Sequence, residues 1–436
     1  VTSLGRRLAS QSSVIFAARL FGAGLIFLAQ AGIARLWGAG ALGQYLVLVA
    51  AANLCAVLLP LGFQTIGVYF TAEYRARQDG RMLRRFLRTG YAHIAGMTLV
   101  LLMAGGWLTG HLGGPAQILA HHFWPYALMA LATTLVFFNG AVLVGLKHPL
   151  AGYFADGLFR PLAVVGAFLI AVAWAGTDGF ATMIWLVALA YVAIALVQTG
   201  YLLAKVVVLP ETVAARPGEA RRWWRFAVPW LIVGMATDFF FDIDLLLLAG
   251  HLSAQELAVF GVCTRVFSLV AFGVAAVYAV AMPDMFESEA LADRAGFHRK
   301  IGDANLVASG LAVLLTIGVV LGAPLLLRVF GPDFAQGAWP LAILCLGLVV
   351  RSAMGPAAMV LSVHDRPYAS LPAVALGLAT LVAANWLLVP LLGLLGAALA
   401  ALLAMSLWAV ALWAIAWRRA GVDVSILPRL RAWRAQ

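Results

Sequence analysis

FAVPWLIVGMATDFFFDIDLLLLAGHLSAQELAVFGVCTRVFSLV, residues Phe226 to Val270, is the stretch on which the fold turns. It holds two apolar runs separated by a short polar segment, His251 to Glu256. The first run carries Asp238, Asp242 and Asp244, and the second carries Arg265. A helix needs about 20 apolar residues to cross a bilayer. A charge at the bilayer centre costs roughly 2.5–3.5 kcal/mol on insertion scales. Charges kept at such depth face a bundle interior or a water-filled cavity.

The rest of the chain has the same character. Of 436 residues, 64% are hydrophobic and 11% charged, with a mean hydropathy of +0.98. Soluble domains carry about 25% charged residues, so the composition specifies an all-α polytopic membrane protein. The net charge of +11 would suggest nucleic acid in a soluble protein. Here the loops account for it, and no nucleic-acid partner is expected. Cys55, Cys263 and Cys345 lie scattered inside apolar runs. They suit core packing and form neither a metal motif nor a disulfide framework. Arg6 and Arg7 followed by Ala29-Gln30-Ala31 resemble a signal peptide. The apolar run is too long for one and Arg19 interrupts it, so cleavage is not expected.

About twelve spans can be placed: near 10–36, 41–72, 89–110, 123–146, 150–174 and 181–204, then 226–250, 254–282, 304–330, 338–363, 367–390 and 393–417. Basic residues cluster on one side of this arrangement. Twenty-three of the 29 Lys and Arg residues fall in the termini, the 73–88, 205–225 and 284–303 segments, and the short turns at Lys147 and Arg366. The opposite loops hold only Arg35 and Arg328. The positive-inside rule then puts both termini in the cytoplasm. These basic loops are expected to act as topology signals rather than binding sites, with a minor role in touching anionic headgroups as the alternative.

The two halves match at an offset near 215 residues. Leu42-Gly43-Gln44-Tyr45 falls on Leu257-Ala258-Val259-Phe260, and Arg84-Arg85 on Arg299-Lys300. With six spans each, the halves are parallel repeats related by a pseudo-twofold axis along the membrane normal. The expected organisation is a six-helix lobe over 1–208, a cytoplasmic linker over 209–225, a second six-helix lobe over 226–418 and a basic cytoplasmic tail over 419–436.

Four segments carry a family resemblance: AGIARLWGAGALGQYLVLV from Ala31, DIDLLLLAGHLSAQELAVFGVCTRVFSL from Asp242, APLLLRVFGPDFAQGAWPLAILCLG from Ala323, and NWLLVPLLGLLGAALAALLA from Asn385. Together they resemble the polysaccharide flippases of the multidrug/oligosaccharidyl-lipid/polysaccharide exporter superfamily. The resemblance implies a two-lobed transporter of the bacterial inner membrane, without enzymatic activity or cofactor. It further implies an undecaprenyl-diphosphate-linked oligosaccharide as substrate, membrane lipids as surroundings, and a polysaccharide polymerase and chain-length regulator as partners.

Four arginines lie within spans: Arg19, Arg160, Arg265 and Arg351. At about 1.5 Å per residue, Arg19, Arg265 and Arg351 sit roughly 15–20 Å from their span ends, near the midplane. Ser12, Arg19 and Gln30 align on one helix face, and so do Arg351 and Ser362. Such stripes suit a water-filled cavity, where guanidinium forks would hold phosphate and carboxylate groups. The alternative is that each arginine binds helix carbonyls or a buried acid. Asp156 stands four residues before Arg160, the favourable order for a helical ion pair. Asp238 and Asp242 have the same spacing and are expected on one face, either pairing with arginines or carrying a coupling ion. Asp242-Ile-Asp244 has the Asp-x-Asp form of metal-dependent glycosyltransferases, but its apolar flanks leave no aqueous pocket for a hydrated metal. Pro60 with Gly62, and Gly355 with Pro356, are the hinge candidates. An ion-coupled efflux antiporter of small cations is the second functional expectation.

The charge bias makes a direct prediction. Alkaline phosphatase inserted after His121 should be active, whereas fusions after Lys147 or Arg222 should be inactive. The reverse pattern would invert the assigned orientation.

Overall fold

The computed structural model describes residues 3–111, 115–207, 218–290, 294–363 and 367–429. All regular structure among them is helical: α1 (Ser3–Leu58), α2 (Phe63–Ala76), α3 (Gly80–His111), α4 (Pro115–His121), α5 (Phe123–Gly145), α6 (Pro149–Phe154), α7 (Arg160–Ala175), α8 (Phe180–Val207), α9 (Glu219–Asp238), α10 (Phe240–Leu248), α11 (Ala254–Ala290), α12 (Arg294–Arg328), α13 (Ala338–Met354), α14 (Ala357–Val363) and α15 (Leu371–Ala420). A π-helical turn, Ala155–Phe159, joins α6 to α7.

Nine helical stretches among the described residues are long and apolar enough to cross a membrane. Two of them, 46 and 53 residues long, each hold two crossings. Gly38 (φ 86°, ψ 165°) divides α1, and Gly393 (φ 56°, ψ −129°) divides α15. With α9 and α10 as a further crossing, the count comes to about twelve. The all-α class follows from the solvent: in hydrocarbon each backbone N–H and C=O needs an internal partner, which a helix supplies.

The chain forms two compact units, Val1–Gly250 and His251–Gln436. In the first, α5 is central and packs on α8, α2, α1 and α6. Its aromatic core stacks Phe63 on Phe86 at 5.3 Å, with the Trp223 indole edge-on to Phe86 at 5.4 Å. In the second, α13 packs on α15, α12 and α11. Buried Ala397, Ala400, Ala401 and Ala404 line α15, and such small side chains let helices approach closely where lipid gives no hydrophobic drive.

The unit boundary falls at Gly250, beyond the expected 209–225 linker, most of which lies outside the described residues. The reason is a polar clamp between α2 and α9. Arg222 donates to both carboxylate oxygens of Glu73, at 2.7 and 3.0 Å, and pairs with Glu219 at 3.0 Å. The Tyr74 hydroxyl donates to Glu219 at 2.8 Å and accepts from the Trp223 indole at 2.6 Å. Bidentate Arg–carboxylate pairs combine strength with fixed geometry. The expected 226–250 span is also interrupted: Phe239 (φ −121°, ψ 19°) separates α9 from α10. Asp238 and Asp242 therefore do not share one continuous helical face.

The two hinge candidates are both helix breaks. Leu61 (φ 53°) and Gly62 (φ 84°) end the 39–58 segment before α2, and Gly62 lies against the backbone of Ala227. Gly355 (φ 78°, ψ −178°) separates α13 from α14. Chain beyond α15 folds back onto this break. Asn305 donates to the Val424 carbonyl at 3.0 Å, and the Ile426 N–H to Ala353 at 2.9 Å. The first part of the expected 419–436 tail is thus packed, with Val422 and Val424 buried.

Gly355 is required twice, because a Cβ there would collide with the Val424 carbonyl and a side chain would be strained at positive φ. Gly355→Ala should destabilise the purified protein by about 1–3 kcal/mol, read as a lowered thermal midpoint in detergent. Gly24→Ala is the control: nothing lies within 4 Å of its Cβ position, so inside a helix it should be neutral or stabilising by about 0.5–1 kcal/mol. Equal effects at both positions would remove this account of the break.

Candidate functional site

A cavity of about 430 Å³ lies within the first unit. Its polar lining is Arg19, Gln64, Thr65, Tyr153, Asp156 and Asp238, set among Val57, Val68, Val136, Phe137 and Phe239. The residues come from α1, α2, α5, α6, the π-turn and the end of α9.

The local fold explains how these groups meet. Gly22 of α1 packs directly on the Gly157 carbonyl of the π-turn, and a Cβ on Gly157 would come within 3.0 Å of the Arg19 side chain. Glycine on both sides lets the two backbones touch, which places Arg19 over Tyr153 with the guanidinium carbon 4.7 Å from the ring centre. A π-turn inserts an extra residue into the helical ladder and re-aims the side chains on it, and such turns recur at functional sites. This one carries Asp156.

Asp156 and Arg160 form an ion pair at 2.7 Å. The partners differ in exposure: the Arg160 side chain is 8% exposed and that of Asp156 41%. Arg160 also donates to the Thr133 hydroxyl at 3.1 Å and lies 4.3 Å over the Tyr191 ring. It sits behind the cavity wall, while Asp156 faces the cavity. Asp238 also lines the cavity, within electrostatic reach of Arg19. The lining therefore carries one guanidinium and two carboxylates, with Arg160 behind the wall paired to Asp156, so the site is not cationic.

Asp242 lies outside this cavity. Its carboxylate accepts from Asn53 of α1 at 3.2 Å, which ties α10 to the second half of α1. Asp244 is fully buried. Arg265 on α11 and Arg351 on α13 belong to the second unit, where Arg351 is exposed beside Tyr278. Gln30, expected in line with Arg19, is buried. The side chains of Ser12 and Ser362 lie outside the described residues. No group of three or more His, Cys, Asp or Glu side chains that could hold a metal occurs among the described residues.

Three cavity residues were not singled out from sequence: Gln64, Thr65 and Tyr153. Tyr153 could have been found, since it precedes Asp156 by three residues and shares its helical side. Thr65 and Gln64 depend on the break at Gly62. The Thr65 hydroxyl donates to the Gly62 carbonyl at 2.6 Å and the Gln64 amide to Val57 at 3.3 Å, closing the broken ladder.

No family model matches the chain, and no curated protein sequence does. Solved structures do match it along nearly its whole length. One is a multidrug resistance MATE family transporter of the MOP superfamily in an inward-facing conformation: 15% identity, 93% of this chain and 98% of that one, TM-score 0.74. Another is the lipid II flippase MurJ in an inward closed conformation: 11% identity, 92% and 86% coverage, TM-score 0.71. A third is a MOP superfamily transporter from Pyrococcus furiosus, described as having a binding pocket of reverse polarity: 14% identity, 94% of each chain, TM-score 0.63. The chain shares the fold of these transporters.

The buried pair gives a stability prediction. Arg160→Lys keeps the charge but loses the planar fork and the stacking on Tyr191. It should lower stability by about 1–2 kcal/mol, and Arg160→Ala by about 2–4 kcal/mol, because the second empties a buried site and removes the contacts to Thr133 and Tyr191. Asp156→Asn should resemble the alanine variant if the pair is the main contact of Arg160. Thermal midpoints of the purified variants decide, and an unchanged Arg160→Ala would make the pair dispensable.

Proposed function

We propose that this protein is a flippase. It moves a lipid-diphosphate-linked oligosaccharide repeat unit from the inner to the outer leaflet of the bacterial inner membrane by alternating access, for surface polysaccharide biosynthesis. Both termini lie in the cytoplasm. The observation that carries this reading is Arg19: a guanidinium within a candidate membrane span, lining a cavity, over a tyrosine ring and within electrostatic reach of one carboxylate.

The chemistry suits a diphosphate. Arginine offers phosphate two parallel N–H donors, and the apolar walls strengthen each of them. The cavity is at the small end of the range for ligand sites, about 300–1,000 Å³. It has room for the diphosphate or one sugar, not a whole repeat unit. The remaining sugars would lie outside it, with Arg265 and Arg351 as further anion contacts, and the polyprenyl tail would stay in the bilayer. Asp238 competes with substrate for Arg19. A proton on Asp238 would release the guanidinium to the diphosphate, which links proton entry to substrate capture. Bending at Gly62 and Gly355 would accompany alternation. A polymerase and a chain-length regulator would receive the product.

The second reading is an ion-coupled exporter of small cations. Two carboxylates on one cavity, Asp156 and Asp238, favour it. Against it, Arg160 already neutralises Asp156, and Arg19 stands opposite Asp238, so no acidic surplus is left for a cationic cargo.

Arg19→Ala and Arg351→Ala, expressed at wild-type level, should each reduce surface polysaccharide output at least about tenfold, the loss expected for one charge-assisted phosphate contact. Wild-type output from both would exclude the cationic role. Asp238→Asn should abolish proton-gradient dependence in a vesicle flipping assay. Intact dependence would assign coupling elsewhere.

A further inference from the structure

Helix α3 begins outside the apolar zone and ends within it. Its first two turns bury Met82, Leu83, Phe86 and Leu87 in the aromatic core of the first unit. The opposite face presents Arg81, Arg85 and Arg88, all exposed. The same face continues through Ala92 and Ala95 to Leu99 and Met103, which are 57% and 75% exposed. These positions follow the four- and three-residue steps of one helical stripe. Only 22% of the α3 membrane window is buried, so the stripe is open along its length. Exposed leucine and methionine in a membrane span face lipid. The arginines directly above them on the same stripe therefore stand at headgroup level.

A groove lies beside this stripe. It has a volume of about 420 Å³ between α3 and α5 and is bounded by Tyr91, Leu99, Leu102, Leu131 and Leu135 among others. From Tyr91 to Leu102 the helix rises about 16 Å, against about 15 Å for half of a 30 Å hydrocarbon core. Arg88 sits one turn above the upper end, about 4.5 Å along the axis. The acids nearest in sequence are occupied elsewhere. Asp79 is buried and caps α3 by accepting from the Met82 N–H at 3.0 Å, and Glu73 is held by Arg222 and Arg77.

We propose that α3 and α5 form a binding site for one anionic diacyl phospholipid. The phosphate would lie against Arg85 and Arg88, and one acyl chain would fill the groove beside Leu99. On the orientation proposed above, the site belongs to the cytoplasmic leaflet, where anionic lipids are abundant. It is separate from the Arg19 cavity and does not require the flippase reading.

Native mass spectrometry of the full chain in detergent tests the site, with equimolar phosphatidylglycerol and phosphatidylcholine as probes. The wild type should retain phosphatidylglycerol in excess, by about fivefold for each contacting arginine. Arg85→Gln with Arg88→Gln should abolish the preference while leaving the elution profile unchanged, since both side chains are exposed. Leu99→Trp should fill the groove and lower retention of both lipids. Equal retention of the two lipids by the wild type would overturn the proposal, and so would a preference that survives the double arginine variant or full retention by Leu99→Trp. Displacement of phosphatidylglycerol by equimolar undecaprenyl phosphate would assign the groove to a polyprenyl tail and also overturn it. Because the assay reads binding alone, a failure here is distinct from a failure in polysaccharide output.

Discussion

A guanidinium sealed from water inside a membrane span has to be compensated, and the first unit is built around one such case. Arg160 finds Asp156, the Thr133 hydroxyl and the face of Tyr191. Removing Asp156 leaves the buried guanidinium without its counter-charge, which costs far more than the intact pair contributes. The pair therefore fixes α7 and the π-turn against α5 and α8. That position, in turn, sets the Gly22–Gly157 approach and brings Arg19 over Tyr153. The cavity is what remains between helices whose spacing these contacts decide.

The legible parts of this arrangement were the local ones. Runs of about 20 apolar residues marked the spans, because the bilayer imposes that length. The Asp156–Arg160 spacing marked an ion pair, because the helical period brings such residues together. Asp238 and Asp242 show where the same rule stops. Phe239 leaves the helical conformation between them, and nothing in the run Phe239-Phe240-Phe241 signals a break, with neither glycine nor proline present. One acid then faces the cavity and the other binds Asn53, 189 residues away in the chain. The clamp of Glu73 and Arg222 was hidden for a related reason. Its members are 149 positions apart and lie in segments whose basic charge already had a sufficient explanation as a topology signal.

The charge balance of the cavity refines what an arginine in a span implies. Depth and helical position pointed to a cationic vestibule. Two acids line the same cavity as Arg19, so its lining is not a standing positive field. On the proposed function an anion would compete with Asp238 for Arg19, which makes selectivity a competition between carboxylate and phosphate. Transporters of one fold can carry unlike cargo for this reason, since the helices set the frame and a few lining side chains set the sign.

The position of α9 and α10 has an evolutionary consequence. On the proposed repeat boundary these helices open the second copy, yet they pack on α1 and α2, and Asp238 completes a cavity otherwise made by the first. A lone ancestral half would have lacked that wall. It could have closed the site only with the leading helix of a second molecule, in the manner of an exchanged arm between protomers. On that repeat boundary the Glu73–Arg222 ion pair fastens the opening helix of the second half to the first.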